Sequence, residues 1–289
     1  MNNINEIVVI SGKGGTGKTT LTASIIPYLD DLVVGDCDVD APDLDILLSP
    51  NLISRENFIG LKKAVIDKER CIDCKLCHRS CKFNAISEDI ILTTSKCEGC
   101  GVCEFVCPVG AIQMEDAVVG ELFHSSTEYG DLIHAKLVPG EETSGKLVAE
   151  VRKRAKKLAV EGEKKNIIID GSPGIACNVI SSITGASRVI LVTEPTFSGL
   201  HDLKRIFELT KKFNLKVEVV INKYDISPKH TKLVEDYCNE NNISIGLKIP
   251  FSKKMVESIV DKKIPSIKER EFFENIGFFK FIDNLKNGE

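Results

Sequence analysis

The 289-residue sequence lacks any apolar run long enough to cross a membrane, and its first residues, MNNINEIVVI, lack the basic segment that opens a secretory signal. It also lacks a large net charge, because 38 Lys and Arg residues stand against 42 Asp and Glu residues. A formal charge of -4 gives no general attraction to nucleic acid or to acidic membranes. These absences predict a soluble, cytoplasmic protein whose partners are neither nucleic acids nor membranes.

Hydrophobic residues make up 43% of the chain and charged residues 28%, which is typical of globular proteins. The length exceeds that of most single domains and predicts either two domains or one large domain with an insertion. Eleven cysteines in a reducing compartment indicate metal ligation rather than disulfides, particularly because eight of them fall in two regular runs. The remaining three are Cys37, Cys177 and Cys238.

The stretch EIVVISGKGGTGKTTLTASIIPYL predicts a buried strand that ends near Ser11, a glycine-rich turn and a helix. Four of its residues fit the phosphate-loop pattern G-x-x-x-x-G-K-[ST]: Gly12, Gly17, Lys18 and Thr19. The glycines let backbone N–H groups approach phosphate oxygens, the lysine adds a mobile positive charge, and the threonine hydroxyl binds Mg²⁺. We therefore predict that ATP or ADP is bound by the whole loop, namely Gly12, Lys13, Gly14, Gly15, Thr16, Gly17, Lys18, Thr19 and Thr20.

Further along the chain, segments with strand and helix character alternate. ASRVILVTEP predicts a strand, a helix follows from about Gly199, and LKVEVVINK predicts the next strand. This alternation predicts an α/β fold with a doubly wound, mostly parallel sheet and helices on both faces. Ligands of such sheets bind at the carboxyl ends of the strands, which is where the phosphate loop lies.

The phosphate loop has an additional lysine. KGGTGKTT, with Lys13 ahead of Lys18, resembles the deviant Walker A motif of the MinD/ParA/Mrp superfamily of P-loop ATPases. In that superfamily the first lysine reaches across a dimer to the nucleotide of the other subunit. The resemblance therefore implies an ATP-dependent homodimer and a cross-subunit role for Lys13. It also implies the P-loop NTPase fold for the parallel sheet.

Three more stretches resemble motifs of the same superfamily. LVVGDCDVDAPDL resembles its first switch, which implies that Asp38 orients the attacking water and that Asp36 lies near Mg²⁺. NIIIDGSPGIACNV resembles its Walker B strand and second switch, which implies that Asp170 is the carboxylate linked to Mg²⁺. VVINKYD resembles the strand whose asparagine, here Asn222, contacts adenine.

These resemblances imply the hydrolysis of ATP to ADP and phosphate. Phosphoryl transfer to water requires an in-line nucleophile and neutralisation of the γ-phosphate oxygens. Lys18, Mg²⁺ and the partner's Lys13 would surround that phosphate, while Asp38 would hold the water. We therefore expect dimerisation to gate hydrolysis and a partner to stimulate it. The expected catalytic residues are Lys13, Lys18 and Asp38, and the expected Mg²⁺ ligands are Thr19, Asp36 and Asp170.

The cysteine runs CIDCKLCHRSC and CEGCGVCEFVCP share the spacing C-x2-C-x2-C-x3-C. This spacing is typical of iron–sulfur ligation, and the two copies resemble bacterial two-cluster ferredoxins, in which the fourth cysteine of each run ligates the other cluster. The resemblance implies two [4Fe-4S] clusters, the first on Cys71, Cys74, Cys77 and Cys107 and the second on Cys97, Cys100, Cys103 and Cys81. The first run departs from the ferredoxin pattern at Lys82, where proline is usual. A pair of structural zinc sites is the alternative, although zinc sites usually pair thiolates as C-x2-C across a longer loop.

The two runs lie between the first-switch stretch and the Walker B stretch, so they form an insertion in the nucleotide-binding domain. We predict a MinD/ParA-like P-loop ATPase domain at residues 1–60 and 119–289 and an inserted α+β ferredoxin-like domain at residues 61–118. This arrangement resembles, over nearly the full length, MinD-superfamily ATPases that contain an inserted ferredoxin domain. After the insertion, VVGELFHSSTEYGDLIHAKLVPG predicts a hairpin with its turn at Tyr129 and Gly130.

Three weaker signals have competing interpretations. Cys177 has the same offset from Asp170 as a ligand of the intersubunit cluster in the nitrogenase iron protein, but a buried or spare thiol is the preferred interpretation. The basic run in KLVAEVRKRAKKLAVEG predicts a helix with its lysines and arginines on a solvated outer face rather than a DNA-binding patch. The tail EREFFENIGFFKFIDNL has too many acidic residues for a membrane-targeting helix. Four of its residues are predicted to pack onto the domain: Phe272, Phe273, Ile276 and Phe279.

Three functions are compatible with these motifs. The first is an ATPase that couples nucleotide-dependent dimerisation to electron transfer from its clusters to a protein redox partner. The second is an ATPase for iron–sulfur or metallocofactor assembly, similar to Mrp, in which the clusters are cargo or sensors for a client protein. The third, a ParA- or MinD-like positioning ATPase, leaves the eight cysteines of the two runs unexplained.

Overall fold

The computed structural model describes residues 4–141 and 144–287 of the chain. The chain divides into two compact units. The first unit consists of Met1–Arg55, Leu122–Lys136 and Ser144–Glu289, and the second of Glu56–Glu121 and Leu137–Thr143. The predicted insertion at residues 61–118 falls inside the second unit, which is longer at both ends and includes the additional segment from Leu137.

The described residues form eleven β-strands. In chain order they are β1 (Asn5–Ser11), β2 (Leu32–Asp36), β3 (Asn51–Ile59), β4 (Lys63–Ile66), β5 (Ile112–Glu115), β6 (Val118–Thr127), β7 (Gly130–Leu137), β8 (Asn166–Pro173), β9 (Arg188–Thr193), β10 (Lys216–Asn222) and β11 (Ser244–Ile249).

Nine of these strands form one sheet in the order β11-β10-β9-β1-β8-β2-β7-β6-β3. The pairs from β11 to β7 are parallel, which confirms the mostly parallel sheet expected from the sequence. Strand β1 lies between β8 and β9, and its residues from Ile7 to Ile10 are fully buried because both faces of a parallel sheet are covered. In the register of β2 and β8, Asp36 lies beside Asp170, so two predicted site residues lie at neighbouring positions.

The described residues also form twelve α-helices and two short 3-10 helices, the latter at Ile26–Tyr28 and Thr94–Lys96. In chain order the α-helices are α1 (Lys18–Ile25), α2 (Leu44–Leu48), α3 (Leu76–Ser80), α4 (Val102–Phe105), α5 (Ser144–Glu161), α6 (Cys177–Ile183), α7 (Phe197–Lys211), α8 (Pro228–Glu240), α9 (Lys253–Val260), α10 (Pro265–Lys268), α11 (Arg270–Asn275) and α12 (Phe278–Asn287). None of the helices in the described part of the chain is long and apolar enough to span a membrane.

The carboxyl-terminal helices complete the core of the first unit, so the prediction that the tail packs onto the domain is confirmed. Phe273 and Phe278 are fully buried, and their rings meet edge to face with centroids 4.8 Å apart. Tyr28 packs edge-on against Phe278 at 5.9 Å. These rings belong to the same core cluster as Ile7 and Val9 of β1. Three further residues of the tail are partly buried against that core: Phe272, Ile276 and Phe279.

Helix α5 carries the basic run, and its inward face is the expected apolar stripe. Leu147, Val151 and Ala155 are fully buried, and the helix packs against β2 and α6. The expectation that every arginine of the run lies on the outer face is wrong for Arg152, whose side chain is only 12% exposed. Arg152 donates its Nε–H to Oε1 of Glu6 at 2.9 Å because that buried carboxylate needs a partner.

Strands β6 and β7 are neighbours in the sheet and are joined by Glu128 and Tyr129, so the predicted hairpin is present with its turn one residue earlier than predicted. Strand β7 begins at Gly130, where a Cβ atom would lie 2.2 Å from the carbonyl oxygen of Leu32. Only glycine therefore allows β7 to approach β2 this closely at its first residue.

The second unit has its own small core. Strands β4 and β5 pair in the antiparallel direction, and helices α3 and α4 pack against each other. Apolar residues and buried thiols share the core, which contains Ala64, Ala85, Ile86, Ile90, Ile112, Cys77, Cys97 and Cys103. Each cysteine run supplies one of the two helices, so the repeat in the sequence is also a repeat in the structure.

Candidate nucleotide-binding and thiol sites

The loop between β1 and α1 has a backbone that depends on glycine. Gly15 and Gly17 have positive φ angles of 78° and 91°, a region that other residues rarely adopt. At Gly17 a Cβ atom would lie 2.3 Å from Nδ2 of Asn222. A Cβ atom at Gly14 or Gly15 would meet no other atom within 4 Å, so a ligand can approach the loop backbone closely there. The loop therefore fits the phosphate groups of a nucleotide, and α1 begins directly after it.

Lys18, the first residue of α1, lies among carboxylates. Its side chain is 6% exposed, and its Nζ is 2.9 Å from Oδ2 of Asp170 and 3.4 Å from Oδ2 of Asp38. Burial lowers the pKa of Lys18, but the charges of Asp170 and Asp38 outweigh it and raise the pKa above its ordinary value. Lys18 is therefore charged at neutral pH, and the structure brings these three predicted site residues together.

Asp170, in β8, accepts hydrogen bonds from two hydroxyl groups of α1. Thr19 donates its Oγ1–H to Oδ2 of Asp170 at 2.7 Å, and Thr22 donates its Oγ1–H to Oδ1 at 2.8 Å. The sequence-based site did not include Thr22, although its position three residues after Thr19 places both hydroxyls on one helix face. Hydroxyl and carboxylate oxygens are the ligands that Mg²⁺ prefers, so Thr19 and Asp170 fit the predicted metal ion.

Asp36, at the end of β2, is fully buried. It accepts backbone N–H groups from Asp38 at 3.0 Å and from Leu44 at 3.3 Å, which holds the turn after the strand. Burial, followed by repulsion from Asp170, raises the pKa of Asp36 well above its usual range, and burial also raises the pKa of Asp38. A bound divalent cation would relieve this repulsion, so the buried carboxylates also fit Mg²⁺.

Lys13 contacts a different group of side chains from Lys18. Its Nζ is 2.5 Å from Oε1 of Glu194 and donates a hydrogen bond to Oγ of Ser198 at 3.2 Å. Oε2 of Glu194 also pairs with Nζ of Lys223, at 3.3 Å. Burial opposes ionisation of Glu194, but the hydrogen bonds from Lys13 and Lys223 outweigh burial and lower its pKa. The cross-subunit role of Lys13 stays a prediction, because within this chain the lysine is held by Glu194.

Glu194 and Lys223 are site residues that the sequence-based prediction did not include. Glu194 directly follows β9, at the same edge of the sheet as the other strand-end carboxylates, and this position is the signal that could have identified it. Lys223 follows Asn222 and donates a hydrogen bond to the carbonyl oxygen of Gly15 at 3.2 Å. Glu194 therefore links Lys13 to a lysine that contacts the phosphate loop.

Asn222, at the end of β10, contacts the backbone of the phosphate loop. Its Nδ2 donates a hydrogen bond to the carbonyl oxygen of buried Thr16 at 2.7 Å. The contact of Asn222 with adenine stays a prediction, whereas its contact with the loop backbone is observed.

Two other predicted loop residues lie at the ends of the loop. Gly12 has no room for a side chain, because a Cβ atom there would lie 2.2 Å from Cβ of Asp202. Thr20 lies in the first turn of α1.

In the second unit, four thiols line one small cavity. They are Cys81, Cys97, Cys100 and Cys103, which are the four thiols that the ferredoxin resemblance assigns to the second cluster. Apolar side chains, including Ile86, Leu92 and Met114, form much of the remaining wall. The backbone N–H of Ala85 donates to the sulfur of Cys81 at 3.4 Å. A thiol from the first run therefore faces the same space as three thiols from the second run.

Some of the thiols assigned to the first cluster also lie near one another. Burial raises the pKa of Cys77, and the nearby sulfurs of Cys71 and Cys74 raise it further. Cys71 and Cys107 pack against the same apolar core as Cys77. The backbone N–H of Ala111 donates to the sulfur of Cys107 at 3.2 Å, as Ala85 does for the other run.

Within residues 4–141 and 144–287, no three His, Cys, Asp or Glu side chains are grouped as ligands of a single metal ion. This holds for the thiols and for the carboxylates near the phosphate loop. In a [4Fe-4S] cluster each thiolate binds its own iron atom, so the four sulfurs do not surround one ion.

The three cysteines outside the runs have different environments. Cys37 and Cys238 are fully buried, and burial raises the pKa of Cys238 to about 11. Cys177 is exposed at the first residue of α6.

Comparisons with known proteins agree with this geometry. The family model of the CobQ/CobB/MinD/ParA nucleotide binding domain matches residues 7–265. An uncharacterised protein of Methanocaldococcus jannaschii is 30% identical over 268 residues, which cover 89% of this chain and 90% of that protein. Pyruvate synthase subunit PorD of Methanothermobacter marburgensis is 42% identical over 53 residues, which cover 18% of this chain and 65% of PorD.

Solved structures share the fold. The cell division ATPase MinD of Pyrococcus furiosus superposes with a TM-score of 0.59 at 18% identity and covers 99% of both chains. The septum site-determining protein MinD of Pyrococcus horikoshii, in complex with Mg-ADP, gives a TM-score of 0.56 at 18% identity and covers 98% of this chain and 95% of that chain. Because the family model spans most of the sequence, this protein belongs to the CobQ/CobB/MinD/ParA nucleotide-binding family, and its fold is that of the MinD ATPases.

Proposed function

We propose that this member of the MinD/ParA family hydrolyses ATP, carries two [4Fe-4S] clusters and couples nucleotide-dependent dimerisation to electron transfer to a partner protein. The observation that carries the proposal is the cavity lined by Cys81, Cys97, Cys100 and Cys103. These thiols come from both runs, as in two-cluster ferredoxins. A zinc site that pairs two C-x2-C motifs across a longer loop would take two thiols from each run, not one thiol from the first run and three from the second. The PorD resemblance, about as long as the predicted insertion, supports the same interpretation.

For the nucleotide site, we assign each contact a role in hydrolysis. The phosphate-loop backbone and Lys18 bind the phosphates, while Thr19, Asp36 and Asp170 would hold Mg²⁺. When bound, Mg²⁺ supplies neutralisation of the phosphate charge. Asp38 lies within 3.4 Å of Lys18, and we assign it the positioning of the attacking water. Lys13 leaves Glu194 and contacts the partner's nucleotide, so dimerisation completes the site.

For the thiol sites, the surroundings favour ligation by thiolates. Burial opposes ionisation of Cys107, but backbone N–H groups, Ala111 first among them, outweigh it and lower the pKa of this thiol. Such N–H groups also stabilise the negative charge of a thiolate ligand. Buried Ile86, Ile90 and Ile112 limit the access of water. When bound, the clusters supply one-electron transfer.

The test is anaerobic purification followed by iron and sulfide analysis of the full-length chain. Two clusters predict about eight iron atoms and eight sulfides per chain. Cys81→Ser should remove the second cluster and leave the first, and Cys107→Ser should do the reverse. Cys177→Ser is the matched control, because this exposed thiol lies outside both runs. Colourless protein loaded with zinc would overturn the proposal, and intact clusters in either ligand variant would overturn the crossed assignment.

Coupling is tested by redox titration of the clusters with and without ATP and Mg²⁺. We expect nucleotide to change the potential of a cluster or its rate of reduction by a small one-electron donor. Identical potentials and rates in both states would contradict coupling while leaving the cluster assignment intact.

A second candidate function, iron–sulfur or metallocofactor assembly, is favoured by one observation. Cys177 is exposed and lies in the first unit, which gives an accessible thiol on the nucleotide-binding part of the chain. If the protein delivers clusters, iron should move rapidly to an apo-acceptor protein, and Cys177→Ser should slow that transfer. Retention of iron in the presence of the acceptor favours the electron-transfer function.

A further inference from the structure

Strand β4 places a buried ammonium group next to the loop that carries Cys97. The side chain of Lys63 is 9% exposed, and its Nζ donates a hydrogen bond to the carbonyl oxygen of Cys97 at 2.7 Å. It also donates to the carbonyl oxygen of Thr94 at 3.4 Å. The Lys63 ammonium therefore contacts the backbone of a residue whose thiol lines the cavity of the second cluster.

One carboxylate accompanies this ammonium. Oε2 of Glu141 lies 2.9 Å from Nζ of Lys63, and the Glu141 side chain is 11% exposed. This oxygen is buried and has no hydrogen-bond partner among the described residues. Its negative charge is therefore balanced by the ion pair with Lys63. Removing one member of such a pair leaves the other as an uncompensated buried charge.

Arg79, a cation in the first run, has different surroundings from Lys63. Arg79 donates its Nη2–H to the carbonyl oxygen of Cys74 at 3.0 Å, but Arg79 is exposed to solvent. Solvent and salt screen the field of an exposed charge, whereas a buried charge acts at low effective dielectric. The two thiol groups thus have similar backbone contacts but unequal electrostatic surroundings.

We propose that Lys63 and Glu141 set the reduction potential of the second cluster, Lys63 raising it and Glu141 lowering it. This proposal rests on the proposed function, because it requires a cluster on Cys81, Cys97, Cys100 and Cys103. Reduction adds one electron from a low-potential one-electron donor and so adds one negative charge to the cluster. A nearby ammonium favours the reduced form, and a nearby carboxylate disfavours it. Lys63 and Glu141 act through the Cys97 loop and are positioning residues, not ligands.

The experiment is an anaerobic redox titration of the full-length protein, with each cluster followed by electron paramagnetic resonance. Signals are assigned by their loss in Cys81→Ser and Cys107→Ser. In Lys63→Met we expect the second cluster to become about tenfold harder to reduce, a fall in midpoint potential of about 59 mV for one electron. Glu141→Gln should shift the same midpoint upwards. The first cluster should move less in both variants.

Three further variants separate charge from packing. Lys63→Arg keeps the charge and should keep the potential near that of the unaltered protein. The double variant K63M/E141Q removes both charges, so its two shifts should offset each other. Lys68→Met is the matched control, because Lys68 is exposed and its Nζ donates to the carbonyl oxygens of Asp89 and Ile90, away from the Cys97 loop.

Several results would overturn the proposal. They are equal shifts of both clusters, shifts of the same sign in K63M and E141Q, and a shift in K68M as large as that in K63M. If K63M loses iron, E141Q and Lys63→Arg still decide the question, because both retain a hydrogen-bonding side chain. Unaltered protein without iron and sulfide would overturn the proposed function itself. Normal clusters whose midpoint potentials are the same in K63M, E141Q and the unaltered protein would overturn only this inference.

Discussion

Replacing Glu194 by glutamine should strengthen ATP-dependent dimerisation. Glu194 holds Lys13 at 2.5 Å and Lys223 at 3.3 Å, so in the proposed dimer it would compete with the partner's nucleotide for Lys13. The side chains of Lys13 and Glu194 are 36% and 14% exposed, and ion pairs with such solvent access contribute about 0.2–1 kcal/mol. Releasing one lysine therefore favours the dimer by about 1.4- to 5-fold, and releasing the lysines of both protomers by about 2- to 30-fold.

The assay is sedimentation equilibrium with Mg²⁺ and a slowly hydrolysed ATP analogue, compared with ADP. Glu208→Gln is the matched control, because Glu208 forms an exposed ion pair with Lys211 on α7 and loses the same charge. Lys13→Ala should abolish the nucleotide effect. The reasoning fails if E194Q dimerises no more tightly than E208Q, and the cross-subunit role fails if the Lys13→Ala variant dimerises and hydrolyses ATP normally.

Other predictions concern the loop, the core and pH. Gly17→Ala should lower nucleotide affinity more than tenfold, as measured by calorimetry. The new Cβ would lie 2.3 Å from Nδ2 of Asn222, and the backbone φ of 91° disfavours alanine. Unchanged affinity would contradict the loop assignment. Phe273→Ala should cost about 3–5 kcal/mol in denaturant unfolding, since this ring is fully buried, and a loss below about 1 kcal/mol would contradict its core position. Burial lowers the pKa of His134, so the unfolded chain binds the proton more readily and the free energy of unfolding should fall as pH drops below 6.5. His134→Gln should flatten that fall, and an unaltered pH profile would exclude His134 as its source.

The sequence predicts which residues lie around the phosphate loop because they belong to short motifs at strand ends. The glycines fix the local backbone, and parallel strands bring Asp36 and Asp170 to one edge of the sheet. The resemblance of the cysteine runs to two-cluster ferredoxins likewise implies the grouping of Cys81 with Cys97, Cys100 and Cys103, which share a cavity. In each case local geometry or a known strand order determines the contact.

The missed contacts are ion pairs between distant parts of the chain. Arg152 turns inward to Glu6, 146 residues away, because a buried carboxylate at the base of β1 needs a cation. Glu194 forms an ion pair with Lys13 because β9 lies beside β1, which brings the residues that follow the two strands close together. No periodicity or motif specifies such partners, since they depend on the register between strands and on which charged groups become buried.

The central position of β1 has a consequence for biosynthesis. Its neighbours in the sheet, β8 and β9, begin at Asn166 and Arg188, and the core around it is completed by Phe278 in α12. The core around the amino-terminal strand therefore cannot be completed until α12 has been translated. The continuous stretch Glu56–Glu121 is translated earlier and has its own core. We infer that the thiol-rich part of the nascent chain can fold before the nucleotide-binding sheet has assembled.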